Sequence, residues 1–402
     1  MIRVEEAEKI ILSQVKNFGT ESIPFEFALG RVLAEELIAD RDMPPFNRAT
    51  LDGIAINFSS FDKGIRSFHI KATQAAGDIP VDINNSAECI EIMTGAALPE
   101  TTDTVVGYED LSIQNGTAIV KSKSITKRQG VHAKGKDKTK KKIVAEANQL
   151  ITPALISMAA SIGQINLLVK KNPRVMVVSS GDELVEVDEI PSPYQIRRSN
   201  SYTVKAALEQ YNLHADIAHI PDGLEITKQK IGVYLQNYDA IILSGGISMG
   251  KFDFIPQALQ ELSVNNLFYK VQQRPGKPFW FGTHANGVSV LALPGNPVST
   301  FMCLYRYVIP WLKTCMGLPF TKNIYAILNE DISFTPLLQY FLQVKLNVNN
   351  NGNLLATPFE GNSSGDFGNL LDTDAFIELP LEQNNFTKGE VYKIWPFKEI
   401  FI

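Results

Sequence analysis

Ala240-Ile241-Ile242-Leu243-Ser244-Gly245-Gly246-Ile247-Ser248-Met249-Gly250 is the stretch on which the fold class turns. Four apolar residues in a row predict a buried parallel strand, and Ser244-Gly245-Gly246 ends it with no side-chain bulk at two successive positions. Asp253 follows, and a helical pattern continues through Ala258 and Leu259. Such a turn has two readings. Its backbone N–H groups and the next helix N-terminus form a nest for an oxyanion, or the glycines are there for steric reasons alone.

The flanking sequence repeats the pattern. Val175–Val178 is a second buried strand, ending in Ser179-Ser180-Gly181-Asp182-Glu183, and a helix is predicted from about Asn200 to Gln210. A strand near Ala215–Ile220 and a helix from Glu225 toward Leu235 complete the alternation expected of a parallel sheet covered by helices. Beyond it lie Arg274-Pro275-Gly276-Lys277-Pro278, the runs Phe279–Phe281 and Val288–Ala292, and Leu293-Pro294-Gly295-Asn296-Pro297-Val298-Ser299. Asn296 and Pro297 read as cap and first-turn residues of a helix running to about Leu312. After Pro319 five short apolar runs, Ile324–Leu328, Tyr340–Leu346, Leu354–Pro358, Ala375–Leu379 and Val391–Trp395, predict a small barrel.

Toward the N-terminus, Val4, Ala7, Ile11 and Val15 share a helical face, with Gly19 as the stop and a second short helical segment leading into Leu29–Ala34. Pro44-Pro45 breaks any regular element and marks a domain crossing. Short alternating runs from Asn47 to Gln129 have the texture of a β-rich unit, and Thr152-Pro153 opens a helix ending at Gly163. The expected partition is residues 1–46 with 130–170 as one discontinuous domain, 47–129 inserted in it, 171–318 as the α/β domain and 319–402 as the barrel.

Composition narrows the function. Apolar residues make up 45% and charged residues 20%, as in ordinary globular chains, and the net charge of −5 opposes a nucleic-acid binder. The basic run Lys134–Lys142 reads as a solvated loop. The three cysteines (Cys89, Cys303, Cys315) are far apart, which fits reduced, buried thiols. Neither a signal-peptide pattern nor a membrane-length apolar run is present, so a cytoplasmic location is expected. A P-loop and a Gly-x-Ser-x-Gly elbow are also missing.

In open parallel sheets, ligands bind beyond the carboxyl ends of the strands. The turns expected there combine glycine amides and hydroxyls with Arg274, Lys277, Asp182 and Asp253. That set suits an anionic, phosphorylated ligand with a hard divalent cation. Asp182 reads equally as a helix cap, and His69 and His219, within strand patterns, read as structural.

The combination Asp52-Gly53, Met93-Thr94-Gly95-Ala96 with Pro99, Ser180-Gly181-Asp182-Glu183-Leu184, Ser244–Gly250, Pro275-Gly276-Lys277-Pro278 and Leu293–Ser299 resembles the molybdopterin molybdenumtransferase (MoeA) family, related to the gephyrin E domain. The resemblance runs the length of the chain, in the family's order. It implies an elongated homodimer of multi-domain α/β and β subunits, whose central doubly wound parallel-sheet domain is MogA-like. It further implies an enzyme of the last step of molybdenum cofactor synthesis, in which adenylylated molybdopterin is hydrolysed with Mg2+, molybdate is inserted and AMP is released. Transient partners would be the molybdopterin adenylyltransferase and recipient molybdoenzymes, with no nucleic acid and no membrane.

By the same resemblance, Ser244, Gly245, Gly246 and Ser248 cradle phosphate, and Asp182 and Asp253 hold the metal. Arg274, Lys277, Pro278 and Ser299 bind pterin phosphate or molybdate, with Pro294, Asn296, Pro297 and Ser364 among the binding residues. Asp52 and Thr94 complete the cleft from the partner subunit. Three positions depart from the family pattern: Lys136, where a carboxylate is expected, Gln343, where an arginine is expected, and Ile54, where the Asp-Gly turn is expected to continue with tyrosine. They leave open a second reading, a molybdopterin-binding or scaffolding homologue with reduced activity.

Overall fold

The computed structural model describes residues 1–247, 250, 253–319, 323–359 and 367–398. The chain divides into two compact units, Met1–Ser22 with Gly30–Ala34 and Leu168–Ile402, and Ile23–Leu29 with Glu35–Leu167.

The larger unit is built on a six-stranded sheet in the order Ala215–Ile220, Val175–Ser180, Ala240–Ser244, Ser289–Leu293, Trp280–Thr283, Asn265–Tyr269. The first four strands are parallel; the last two are antiparallel to their neighbours. Successive side chains of a strand point to opposite faces. Val175, Val177, Ile242 and Leu291 accordingly pack with Val204 and Leu208 of the helix Asn200–Glu209. Met176, Val178, Ile241 and Leu243 pack on the other side with Ile231, Leu235 and Leu259. Every residue of Ala240–Ser244 is buried, as the apolar run predicts for a strand covered on both faces.

The same unit carries a closed barrel of five strands, Ile324–Leu328, Leu354–Pro358, Gln339–Val348, Ala375–Leu379 and Val391–Pro396, each paired with the next and the last with the first. Leu342 and Val344 fill the barrel, whereas Phe341 joins the core of the α/β layer. Gln343 falls on the Phe341 face by strand alternation, where its Oε1 accepts from Thr373 at 3.3 Å. The two-residue strand Gln273–Arg274 pairs with Gln339 and Tyr340, so the barrel takes hold of the loop ahead of Lys277.

The smaller unit holds a second six-stranded sheet, in the order Thr104–Gly107, Gly53–Ile56, Glu88–Ile92, Ser67–Gln74, Thr117–Val120, Leu111–Gln114. Its helix Pro153–Ser161 starts where expected, with Thr152 Oγ1 accepting from Leu155 N at 3.3 Å.

Three local expectations are corrected. The first helix stops at Ser13, before Gly19, and leaves Val15 exposed. The second short helical segment is a strand, Thr20–Pro24, followed by one 3-10 turn, Phe25–Phe27. The helix capped by Asn296 is not continuous: Pro297–Cys303 gives way to a π-helical turn, Leu304–Val308, before Ile309–Cys315. Pro310 explains the break, because its ring collides with the carbonyl four residues back, at Arg306, and it has no N–H to give it.

That turn buries Arg306 to 3% exposure. Its guanidinium lies 2.6 Å from Glu8 of the first helix, 3.6 Å from Glu378 of the barrel and 4.3 Å from the Trp395 ring centroid. Trp395 Nε1 donates to Glu378 at 2.6 Å, and Gln339 donates to its other oxygen. The three cysteines are free and buried, and burial pushes the thiols up, Cys89 to about 12, Cys315 to about 11 and Cys303 higher still.

Removing one side of a buried ion pair leaves the other charge without compensation. Arg306→Met therefore destabilises the larger unit by about 3–5 kcal/mol, read as a lower urea midpoint. An unchanged midpoint would remove Arg306 from the framework.

Candidate functional site

Parallel register aligns four strand ends on one edge of the sheet. Ser180 pairs with Ile220, Ser179 with Ser244, and Ser244 with Leu293. The loops that follow these strands therefore open together. The chain leaves the central pair Val175–Ser180 and Ala240–Ser244 in opposite directions across the sheet, which makes their junction the topological switch point. A cavity of ≈ 290 Å³ lies there, lined by Ser179, Ser180, Glu183, Arg198, Asn200, Ser244, Gly245, Gly246, Asp253, Gly295 and Pro297 among others.

Gly245 and Gly246 have φ values of +94° and +66°. A Cβ on Gly245 would lie 2.7 Å from the Ser180 carbonyl oxygen, so no larger residue fits without moving backbone. Gly245 N–H donates to the Leu293 carbonyl at 3.3 Å and is thus committed within the chain. The turn is held by Asn200, whose Nδ2 donates to Ser244 Oγ at 2.9 Å and to the Gly295 carbonyl at 2.8 Å. Tyr269 donates its hydroxyl to the Ile247 carbonyl just beyond. Ser248 and Ser364 lie outside the described residues.

The Pro-Gly-Asn-Pro turn packs directly on this loop, since a Cβ on Gly295 would touch Gly245 Cα at 3.4 Å. Asn296 Oδ1 accepts from Ser299 N at 3.2 Å and from Ser299 Oγ at 3.3 Å, capping the helix that Pro297 begins. The Pro294 carbonyl accepts from Ser244 Oγ and from Thr300 Oγ1.

Because Trp280 pairs with Ala292 and with Tyr269, the loop 270–279 emerges at the same edge. Arg274, Lys277 and Pro278 sit on that rim, with both cations exposed, but they do not line the cavity itself. The loop is set from beneath: Gln273 Nε2 donates to the Gly276 carbonyl at 2.9 Å, and Tyr307 donates its hydroxyl to Gln273 Oε1.

Asp182 is exposed and caps no helix. Its Oδ1 accepts from Asp222 N at 2.9 Å. Burial, together with the charges of Asp182 and Asp253, raises the Asp222 carboxyl above the ordinary aspartate range. Asp222 thus belongs with the two carboxylates named from the sequence, although its Pro-Asp-Gly setting reads only as a turn. Among the described residues, no group of three or more His, Cys, Asp or Glu side chains is set to enclose a metal ion. His219 is structural, its Nε2 donating to the Gly181 carbonyl at 2.8 Å.

In the smaller unit the structure brings Asp52 and Thr94 together. Asp52 Oδ1 accepts from Thr94 N at 2.6 Å, and this bond, with one to the Thr94 side chain, holds the carboxyl below its ordinary value. Lys136 is exposed. Asn200 and Arg198 also escape the sequence reading, although Arg197-Arg198-Ser199-Asn200 at a helix start is a usable signal.

Comparison with known proteins agrees with this geometry. Residues 2–163 match the family of the MoeA N-terminal region (domain I and II), residues 176–314 the "probable molybdopterin binding domain" family, and residues 325–397 the MoeA C-terminal region (domain IV). The molybdopterin molybdenumtransferase of Synechocystis sp. is 35% identical over 398 residues, 98% of this chain and 100% of that protein. That of Haemophilus influenzae is 29% identical over the whole of both chains. The structure of a MoeA protein of molybdopterin biosynthesis from Pyrococcus horikoshii superposes with a TM-score of 0.84 at 26% identity, over 99% of this chain and 100% of that one. With its cavity at the switch point of a sheet that falls in the molybdopterin-binding match, the chain belongs to the molybdopterin molybdenumtransferase (MoeA) family, enzymes of molybdenum cofactor biosynthesis.

Proposed function

We propose that this enzyme takes adenylylated molybdopterin and molybdate, breaks the pyrophosphate bond with Mg2+ and releases AMP as the metal enters the pterin. The observation that carries the reading is the cavity beside Ser244-Gly245-Gly246, which joins hydroxyls, a helix-capping turn and a buried arginine to nearby carboxylates. Uncharged donors and a cation suit a phosphoryl group. Carboxylates alone would repel it.

The donor set fits magnesium, which takes one or two carboxylates and completes its shell with water and phosphate oxygens. Asp182 and Asp253 would hold it, beside an Asp222 carboxyl that burial first, and the charges of those two aspartates after it, raise above the ordinary range. When bound, the ion neutralises charge on the phosphoryl oxygens and favours ionisation of water. The chain's own groups do the rest. Ser244, held by Asn200, fixes the shape of the turn that faces the phosphate, and Arg274 and Lys277 draw the anionic pterin or molybdate to the rim.

The proposal also keeps Gly245, Gly246, Pro278, Pro294, Asn296, Pro297, Ser299, Asp52 and Thr94 as site residues, a homodimer in the cytoplasm and the four-domain partition. No helix among the described residues is long and apolar enough to cross a membrane. A second reading, a molybdopterin-binding homologue of low turnover, is favoured by one observation: Gln343, where an arginine is expected, is buried and carries no charge.

Incubation with adenylylated molybdopterin, Mg2+ and molybdate, followed for AMP, separates the two. Molybdate-dependent AMP is expected; bound pterin without it would leave only the second reading. Asp253→Asn should lower turnover on the order of 100-fold, the scale of losing one electrostatic contact to the transition state, while thermal unfolding stays put. Asp52 keeps its charge to lower pH than an ordinary aspartate. With its folded value depressed, its contribution to stability is present above the unfolded value and is lost as pH falls through the folded one. Carboxyl NMR titration should place Asp52 below a Thr94→Pro variant, which lacks the donor; equal values would contradict the assignment.

A further inference from the structure

Two arginines line the cavity, Arg197, which is exposed, and Arg198, which is buried. Arg198 follows the two-residue strand Ile196–Arg197 and precedes the helix Asn200–Glu209. Its side chain is only 9% exposed, and its Nε has no hydrogen-bond partner. Among the described residues the charge it pairs with is Glu186, with Nη2 2.7 Å from Oε2; that carboxylate is 44% exposed and does not line the cavity. The same Nη2 donates to the Tyr202 hydroxyl at 3.4 Å, with that ring's centroid 5.3 Å from the guanidinium carbon. A second orphan lies in the cavity wall: Ser179 Oγ is buried and likewise without a partner. Two donors enclosed at the wall of one cavity, both without a partner among the described residues, call for an acceptor.

Glu186 is bound there weakly for a physical reason. It is one carboxylate near water, and an ion pair with so exposed a partner contributes little. The pyrophosphate of the adenylylated pterin, or the monoester of AMP, brings up to two charges and more oxygens to a planar guanidinium. We propose that Arg198 recognises the phosphoryl charge of the ligand in this cavity, and that Glu186 is an internal competitor which the arriving phosphate displaces into solvent. The proposal rests on the adenylylated-pterin reading of the cavity and adds to it the group that distinguishes a nucleotide from a nucleoside.

Calorimetric titration of the full-length protein with AMP and with adenosine tests it. Arg198→Gln should weaken AMP about tenfold or more and leave adenosine unchanged, with Arg198→Lys in between. Glu186→Gln frees Arg198 from its competitor and should tighten AMP by about three- to tenfold without affecting adenosine. This second variant retains the arginine and so carries the test if Arg198→Gln fails to fold. A wild-type protein that binds neither AMP nor adenylylated molybdopterin overturns the reading of the cavity. Wild-type AMP binding that Arg198→Gln leaves intact overturns Arg198 alone. AMP affinity unchanged or weakened by Glu186→Gln overturns the competition.

Discussion

A buried arginine is the constraint on which the larger unit rests. Arg306 is held between Glu8, near the start of the chain, and Glu378, near its end, so one guanidinium ties the first helix and the barrel to the helical layer of the α/β sheet. A charge in such a place has to be matched, because desolvation alone would expel it. The π-helical turn imposed by Pro310 carries Arg306 and Tyr307 inward together. Tyr307 bonds Gln273, and Gln273 fixes Gly276 in the loop that holds Lys277. The same turn that secures the modules thereby sets a rim of the site.

The site itself is a consequence of register. Ser180, Ser244 and Leu293 end level with one another, so turns distant in sequence meet above the sheet. Their contact is close enough to exclude side chains: Gly245 lies under the Ser180 carbonyl, and Gly295 rests on Gly245. Both readings of the Ser-Gly-Gly turn thus hold in part. The glycines are sterically required, and one of the two amides is already used by Leu293. What the turn presents to the cavity is supplied as much by Asn200 and Arg198 as by its own backbone.

Local patterns in the sequence carried much of this fold. The continuous apolar runs Val175–Val178 and Ala240–Leu243 are legible because a strand covered on both faces has no polar face to show. Thr152 and Asn296 are legible because a cap depends on residues three apart. The barrel's five strands show as runs between turns. Features fixed at long range were not legible. Asp222 joins Asp182 only because strand order places their loops side by side, and Asn200 reaches Ser244 and Gly295 across 44 and 95 residues of sequence. The break at Leu304–Val308 was hidden because Pro310 sits within an otherwise helical apolar pattern, and the first helix ended early although Val15 kept the period.

The three cysteines carry a consequence for the family's chemistry. Molybdenum binds soft sulfur ligands, and the ligand form of a cysteine is its thiolate. Cys89, Cys303 and Cys315 are enclosed and held protonated well past neutrality, and Cys303 is wedged beneath Gly276 in the rim loop. On the proposed reaction, the three cysteines therefore offer the metal no thiolate to compete with the pterin.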